Sequence, residues 1–178
     1  MTEVLVLCTG NAARSVMAGF MLEHLKDHGP TGGSEGLHIV TAGTHTIDGQ
    51  PMGMRTRTAL LGIPELAGTS FVGHRSRQVY QADLVRADLV VVMEADHVRF
   101  VRRLFPEAAP RTASIRRLCL DLPAGPAPLP ERVAGLALAD AALSDEDDVI
   151  DPAGGDEVAY AACVAELWSL CQQLITLL

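Results

Sequence analysis

A cysteine, an arginine and a serine stand close together near the start of the chain, separated only by small residues: Cys8-Thr-Gly-Asn-Ala-Ala-Arg14-Ser15. When such a short loop leads into a helix, its backbone N–H groups point inward beside the positive end of the helix dipole. That arrangement binds a dianion and also stabilises a thiolate. We therefore predict an anion-binding loop, residues 8–15, in which Cys8 is a nucleophile and the anion is held by Thr9, Gly10, Asn11, Ala12, Ala13, Arg14 and Ser15.

The residue types within the anion-binding loop suit this chemistry. Gly10 and Asn11 tolerate the left-handed backbone angles that a tight cradle requires. The planar guanidinium of Arg14 can grip two oxygens of a phosphoryl group at once, and the Ser15 hydroxyl can donate a hydrogen bond to the Cys8 thiolate. No Gly-Lys-Ser/Thr sequence follows, which excludes a Walker-type nucleotide loop. The alternative is a buried, unreactive cysteine beside a helix cap.

Phosphoester hydrolysis also needs a proton for the leaving oxygen, and Asp151 is the candidate acid. It lies directly before Pro152, which stiffens the loop, and it follows an acidic run at residues 145–148. Negative neighbours raise the pKa of a carboxyl group and so favour the protonated form that an acid needs. A helix-capping role for Asp151 is the alternative. The acidic run could bind a divalent metal, but we predict a solvated loop and no metal site.

The elements that position these residues follow from hydrophobic spacing and turn signals. Strands alternate with helices, which is typical of a parallel sheet covered on both faces. We predict one doubly wound α/β domain over residues 1–178, with an irregular insertion at 121–150 and a ligand site beyond the end of the first strand. Gly29 and Pro30 should end the first helix. The predicted strands cover 3–8, 37–41, 88–93 and, more weakly, 111–118; the predicted helices cover 12–28, 52–61, 95–105, 134–143 and 156–178.

Composition narrows the class of protein. Of the 178 residues, 48% are apolar and 20% are charged, which argues against disorder. The net charge of −8 disfavours binding to nucleic acid or to acidic membranes. No signal peptide is recognisable and no apolar run reaches the length of a membrane span, so we expect a cytoplasmic protein. Cys119, Cys163 and Cys171 form no CxxC pair, and the last two are expected to be buried, unreactive thiols.

Taken together, these motifs resemble the low-molecular-weight protein tyrosine phosphatases, in the order in which that family has them. The anion-binding loop looks like the family's phosphate loop, Thr41-Ala-Gly-Thr44 like the end of its second strand, and 149–152 like its general-acid loop. His74-Arg-Ser-Arg77-Gln is similar to the motif around a histidine that braces the loop asparagine. The resemblance implies a flavodoxin-like sheet of four parallel strands, a phosphocysteine intermediate, and Asp151 as acid and then base. Residues 151–160 are most similar to bacterial members, including those acting on phosphoarginine.

The chain departs from the family pattern at positions that read the substrate. A second cysteine commonly adjoins the loop arginine, and here that position is Ala13. The position before it, often isoleucine or threonine, is Ala12, and the usual proline after Arg-Ser is Val16. The aromatic pair that lines the tyrosine slot after Asp-Pro is replaced by Ala153 and Gly154. The sequence therefore defines the reaction class better than the substrate.

We expect a cysteine-dependent phosphatase that hydrolyses a phosphorylated protein side chain, with phosphotyrosine first, and that needs no metal or organic cofactor. Its expected ligands are a phosphorylated protein or a small phosphomonoester, together with inorganic phosphate and other oxyanions. Two alternatives stay open. Residues 11–18 also resemble the loop of arsenate reductases, and a single-cysteine reductase could use a small thiol. A noncatalytic phosphate-binding module would need neither a nucleophile nor an acid.

Overall fold

Four parallel strands form the sheet of this computed structural model, which describes residues 1–29 and 36–178. Residues 4–8 and 89–92 of the two central strands are apolar and buried, and Cys8 lies at the carboxyl end of one of these strands. Ligands of parallel sheets bind beyond that edge. In the order β2-β1-β3-β4, the strands are β1 (Thr2–Cys8), β2 (Leu37–Gly43), β3 (Leu89–Val92) and β4 (Thr112–Ser114).

Helices cover both faces of the sheet. The α-helices of the described residues are α1 (Arg14–His28), α2 (Met54–Leu61), α3 (Gln81–Arg86), α4 (Ala95–Leu104), α5 (Ile115–Asp121), α6 (Leu129–Ala134) and α7 (Glu157–Ile175). Successive strand residues point to opposite faces. Val4 and Val6 of β1 therefore enter a core with α1 and α7, whereas Leu5 and Leu7 enter a second core with α3 and α4. This arrangement confirms the predicted doubly wound α/β class with four parallel strands.

The first helix ends where the sequence predicted. A Cβ atom on Gly29 would clash with the carbonyl oxygen of Leu25, so only glycine fits the close approach of the chain there. The Gly29 N–H donates to that same oxygen at 2.7 Å. Pro30, the other residue predicted to end α1, lies outside the described residues.

The fourth strand is shorter than predicted. Residues 111–118 were expected to be extended, but only Thr112–Ser114 are, and α5 begins directly after them. The reason is local: the Ser114 Oγ accepts a hydrogen bond from the backbone N–H of Arg117 at 3.2 Å and so caps a helix. The helix α3, which precedes β3, was not predicted.

The helix predicted at 134–143 is wrong. Within the proline-rich insertion, α6 covers Leu129–Ala134 instead, with Pro130 in the first turn, where proline is tolerated. The chain then turns, and Arg102 donates to the carbonyl oxygens of Leu138 and Ala141 at 2.7 Å each. These bonds hold the segment without a helix, so the insertion is only partly irregular.

The closing helix, α7, is long and apolar enough to cross a membrane by length and composition, which corrects the expectation that no such run exists. One face of α7 is nevertheless buried in the first core against α1, α2 and α5, through residues such as Leu167 and Leu174. That packing is the ordinary role of a core helix. Asp156 begins α7, because its Oδ1 accepts from the Ala159 N–H at 3.0 Å.

Candidate active site

The Cys8 thiol lies at the point where β1 ends and the anion-binding loop begins. Its Sγ lies 3.0 Å from the Oγ of Ser15. The Asn11 Nδ2 donates to the same Oγ at 3.1 Å, so the serine hydroxyl lies where it can donate its proton to the sulfur. Asn11 has φ 47° and supplies the left-handed turn. Gly10 does not share that conformation, because one left-handed residue suffices to turn the loop.

The backbone N–H groups of the anion-binding loop are available for a ligand. Within the described residues, none of the N–H groups of residues 9–15 donates to another protein group. They lie directly before α1, whose first turn adds the positive end of its dipole. Such a set of free donors is what a bound dianion needs.

Asn11 fixes the shape of the loop through contacts on every side. Its Nδ2 also donates to the Thr41 Oγ1 at 3.0 Å, and its Oδ1 accepts from the Arg77 backbone N–H at 3.0 Å. The Nε2 of His74 lies 3.0 Å from the Asn11 carbonyl oxygen, so it must be protonated to donate. Burial lowers the pKa of His74, the bond to Asn11 raises it, and Arg75 lowers it further, with a net lowering. His74 thus contacts Asn11, the residue that the resemblance implied it braces.

Two threonine hydroxyls that the sequence reasoning missed also hold the loop. The Thr46 Oγ1 donates to the Gly10 carbonyl oxygen at 2.7 Å, and the Thr56 Oγ1 donates to the Ala12 carbonyl oxygen at 2.9 Å. Both carbonyl oxygens are therefore bonded to protein donors, while the N–H groups of Gly10 and Ala12 remain free. Neither threonine lies in a motif that would have marked it.

The end of β2 approaches the loop more closely than any side chain would allow. A Cβ atom on Gly43 would lie 2.7 Å from the Thr9 carbonyl oxygen and 3.0 Å from the Asn11 nitrogen. The glycine of the Thr41–Thr44 motif is therefore a packing requirement of the anion-binding loop.

Arg14 is almost completely buried, and it joins the loop to two other parts of the chain. Its Nη1 donates to the Glu94 Oε2 at 2.7 Å and to the Val149 carbonyl oxygen at 3.0 Å, and its Nη2 donates to the Asp151 Oδ2 at 2.7 Å. Burial lowers the pKa of Arg14, but the hydrogen bond to Glu94 and the charges of Asp151, Glu94 and Cys8 outweigh it and raise the pKa. The guanidinium is permanently charged.

The Asp-Pro loop, residues 148–155, brings Asp151 to this site. Asp151 is 40% exposed, and its Oδ1 accepts from the Ala153 N–H at 3.0 Å. The loop is anchored at its start, where the Val149 N–H donates to the Met93 carbonyl oxygen at 2.8 Å. Because Asp156 caps α7, the helix-cap alternative for Asp151 is wrong.

Glu94 and His97 are the charged and titratable residues that sequence reasoning missed. Glu94 follows β3 at the same sheet edge as Cys8, and that position was the signal that could have identified it. The His97 Nε2 lies 3.0 Å from the Thr9 Oγ1 and 3.3 Å from the Glu94 Oε1. Burial lowers the pKa of His97 to about 4, although the charge of Glu94 raises it.

A surface cleft lies beside Gly10 and Ala12 of the anion-binding loop. It is lined mostly by polar side chains, together with the exposed Ile47: residues 44–47, Gln50, Ser76 and Gln78. Where the family resemblance implied two aromatic rings, the exposed Ala153 and Gly154 leave the side next to Asp151 open.

A thiol, an arginine and a carboxyl group that meet beyond the carboxyl edge of a parallel sheet are the parts of a cysteine-dependent phosphatase. A family model described as low molecular weight phosphotyrosine protein phosphatase matches residues 3–121. The chain belongs to this family and is a cysteine-based phosphatase, which confirms the resemblance and the reaction class. The matched range includes the anion-binding loop and ends before Asp151.

Individual relatives extend the similarity over the whole chain. The chain is 25% identical over 174 residues to the protein-arginine-phosphatase of Geobacillus stearothermophilus, covering 97% of this chain and 93% of that protein. A low molecular weight protein tyrosine phosphatase from T. tengcongensis superposes with a TM-score of 0.76 at 25% identity, covering all of both chains. A Bacillus subtilis member gives a TM-score of 0.73 at 20% identity, covering 99% of this chain and 96% of that one.

Proposed function

We propose that this chain hydrolyses a phosphorylated protein side chain through a phosphocysteine intermediate. Cys8 is the nucleophile, Arg14 binds the phosphoryl group, and Asp151 is the acid and then the base. The main support for the proposal is that the structure brings these residues together: Cys8 and Arg14 belong to one loop, and Arg14 donates to Asp151 at 2.7 Å. Ser15 stabilises the thiolate, and His74 holds the loop through Asn11.

In the first step the Cys8 thiolate attacks phosphorus, an S–P bond forms, and the bond from phosphorus to the leaving group breaks. The N–H groups of residues 9–15 bind the equatorial oxygens as negative charge moves onto them. The Nη1 of Arg14 is already held by Glu94 and Val149, so the phosphoryl oxygens take the edge formed by Nε and Nη2.

Substrate binding changes the partner of Asp151. A phosphoryl dianion that takes the Nη2 of Arg14 must replace the bond to the Asp151 Oδ2. Repulsion between the dianion and the carboxylate then favours protonated Asp151, and its 40% exposure allows a proton to reach it from solvent. Asp151 gives that proton to the leaving group. In the second step it takes a proton from the water that attacks phosphorus and frees the Cys8 thiolate.

Phosphotyrosine is the first candidate substrate, with its ring in the cleft beside Gly10 and Ala12, against the exposed Ile47 and mostly polar side chains. Phosphoarginine is the second candidate, favoured by the name of the Geobacillus relative and by the open side next to Asp151. To decide between them, kcat/KM is measured for two peptides that share one flanking sequence and carry either phosphotyrosine or phosphoarginine. A preference of tenfold or more for phosphoarginine would make the phosphotyrosine assignment wrong.

The other thiols of the chain favour hydrolysis over arsenate reduction. Cys119, Cys163 and Cys171 are all buried, and burial raises the pKa of Cys119 to about 11 and that of Cys163 to about 12. Burial raises the pKa of Cys171 as well. A buried thiol with a raised pKa is a poor nucleophile for resolving an intermediate on Cys8, so a reductase would need a small external thiol.

Two variants test the proposal directly. Cys8→Ser should abolish turnover of an aryl phosphate while inorganic phosphate still protects the protein against thermal unfolding, because the donors of the loop remain. Cys119→Ser, which alters a buried thiol at another site, is the matched control and should keep its kcat. Substantial turnover by Cys8→Ser would contradict the mechanism, and a wild-type protein that binds phosphate without turnover would indicate the noncatalytic module.

The proposed setting is the cytoplasm, with a phosphorylated protein as partner and inorganic phosphate and other oxyanions as further ligands. We propose no nucleic-acid or membrane partner, because the net charge of −8 disfavours binding to polyanions and to acidic membranes.

A further inference from the structure

A buried histidine lies behind the anion-binding loop, in the first turn of α4. The side chain of His97 is only 3% exposed. Its Nε2 faces the Thr9 Oγ1 at 3.0 Å and the Glu94 Oε1 at 3.3 Å, while its Nδ1 has no hydrogen-bond partner within the described residues. Burying a polar ring costs stability that an aliphatic side chain at the same place would not cost. The ring therefore needs an explanation other than packing.

The surroundings of the ring determine which nitrogen carries its proton. Burial disfavours the charged form, so the ring is neutral near pH 7 and has one N–H. A proton on Nδ1 would leave a buried donor without an acceptor and would place the bare Nε2 lone pair against a carboxylate oxygen. A proton on Nε2 instead gives the Thr9 Oγ1 a donor at 3.0 Å and places the positive edge of the ring 3.3 Å from the Glu94 carboxylate. The Nε2–H tautomer follows from this comparison.

That single N–H affects two parts of the catalytic machinery. The Oε1 of Glu94 lies 3.3 Å from the His97 Nε2, and the Oε2 of Glu94 accepts from the Nη1 of Arg14 at 2.7 Å, so the imidazole and the guanidinium contact opposite oxygens of one carboxylate. The carboxylate plane, and with it the guanidinium of Arg14, is then fixed from both sides. Thr9 is the residue directly after Cys8, so its hydroxyl holds the beginning of the anion-binding loop against α4.

We infer that His97 is a positioning residue of the phosphatase reaction, which orients the Arg14 fork through Glu94 and the start of the loop through Thr9. His97 touches neither the substrate nor the reacting sulfur. The inference rests on the proposed function only in that Arg14 binds the phosphoryl group. Because the Arg14 contacts strengthen as charge moves onto the equatorial oxygens, losing the His97 N–H should lower kcat more than it raises KM.

The test compares two substitutions of similar size with aryl phosphate as substrate. His97→Leu removes the hydrogen bond to Thr9 and the polar contact with Glu94, and its kcat should fall by about tenfold, the scale of a buried hydrogen bond whose partner is left unsatisfied. His97→Gln keeps an amide N–H near the Nε2 position and should recover kcat to within about threefold of wild type. Val101→Ala, a buried residue of α4 outside the site, should lower the melting temperature and leave kcat unchanged.

Loss of activity to the same extent in both His97 variants would show that the ring acts by its shape, and a His97→Leu variant within threefold of wild type would show that it has no role. Either result overturns the inference. Should His97→Leu fail to fold, ¹⁵N NMR of the wild-type imidazole decides, since the inference requires the Nε2–H tautomer at pH 7 and a proton on Nδ1 contradicts it. Turnover by Cys8→Ser would instead refute the proposed function, so the two failures are distinguishable.

Discussion

Replacing Arg14 by lysine keeps the charge and removes the fork, so it separates the geometry of this residue from its electrostatics. Arg14 makes contacts to Glu94, Val149 and Asp151 from two different nitrogens. A lysine has one nitrogen and cannot reach all of them while also binding two phosphoryl oxygens. Loss of about two charge-assisted hydrogen bonds, at about 1.5–3 kcal/mol each, is expected. Because part of that loss falls on the transition state, kcat should decrease by about 10²–10³.

Steady-state hydrolysis of an aryl phosphate measures this, together with thermal unfolding to show that the variant is folded. Arg57→Lys is the matched control, since Arg57 is an exposed arginine of α2 and should keep its activity. The rate should be lower even at saturating substrate, because the Arg14 fork acts in the transition state. An Arg14→Lys kcat within about fivefold of wild type would refute the reasoning, since a general-purpose positive charge would then suffice.

Three further predictions address the acid, the loop and the pH dependence of stability. Asp151→Asn should slow hydrolysis of a poor leaving group by about 10²–10⁴ and that of an activated aryl phosphate far less, and equal effects would contradict the acid assignment. Gly43→Ala should lower kcat at least tenfold at a temperature at which the variant is still folded, because its Cβ would lie 2.7 Å from the Thr9 carbonyl oxygen. An unchanged kcat in the folded variant would contradict this. His74 and His97 both have a folded pKa below the ordinary 6.5, so the unfolded chain binds more protons and stability falls as pH falls. Denaturant unfolding should show a loss of about 2 kcal/mol between pH 7 and pH 5 from His97 alone, which His97→Gln should remove, and a flat wild-type profile would contradict it.

The sequence predicted the parts of the fold whose signals are local and strong. The run from Val4 to Cys8 is uniformly apolar and ends at a turn, so β1 could be predicted from the sequence. The segment from Thr112 to Leu118 could not be assigned in this way, because its residues suit a strand as well as a helix. Only the Ser114 cap decides between them, and its bond to Arg117 depends on the orientation of one side chain.

The candidate site was predictable to the extent that it lies within one segment or one motif. The anion-binding loop is contiguous, and the family resemblance identified His74 and Asp151. Glu94 and His97 were missed because their roles arise from the strand order, in which β3 lies beside β1 although β2 comes between them in the chain. The spacing of residues along the sequence does not indicate that β1 and β3 are neighbours in the sheet.

Trapping the phosphoenzyme tests the central claim most directly. Rapid acid quench of the enzyme during turnover of an aryl phosphate, followed by peptide mass spectrometry, should find one phosphoryl group on Cys8. Asp151→Asn should accumulate more of it with an activated substrate, because the same carboxylate assists the attacking water. A phosphoryl group on any other residue, or turnover without any phosphoenzyme and with a fully active Cys8→Ser, would contradict the account.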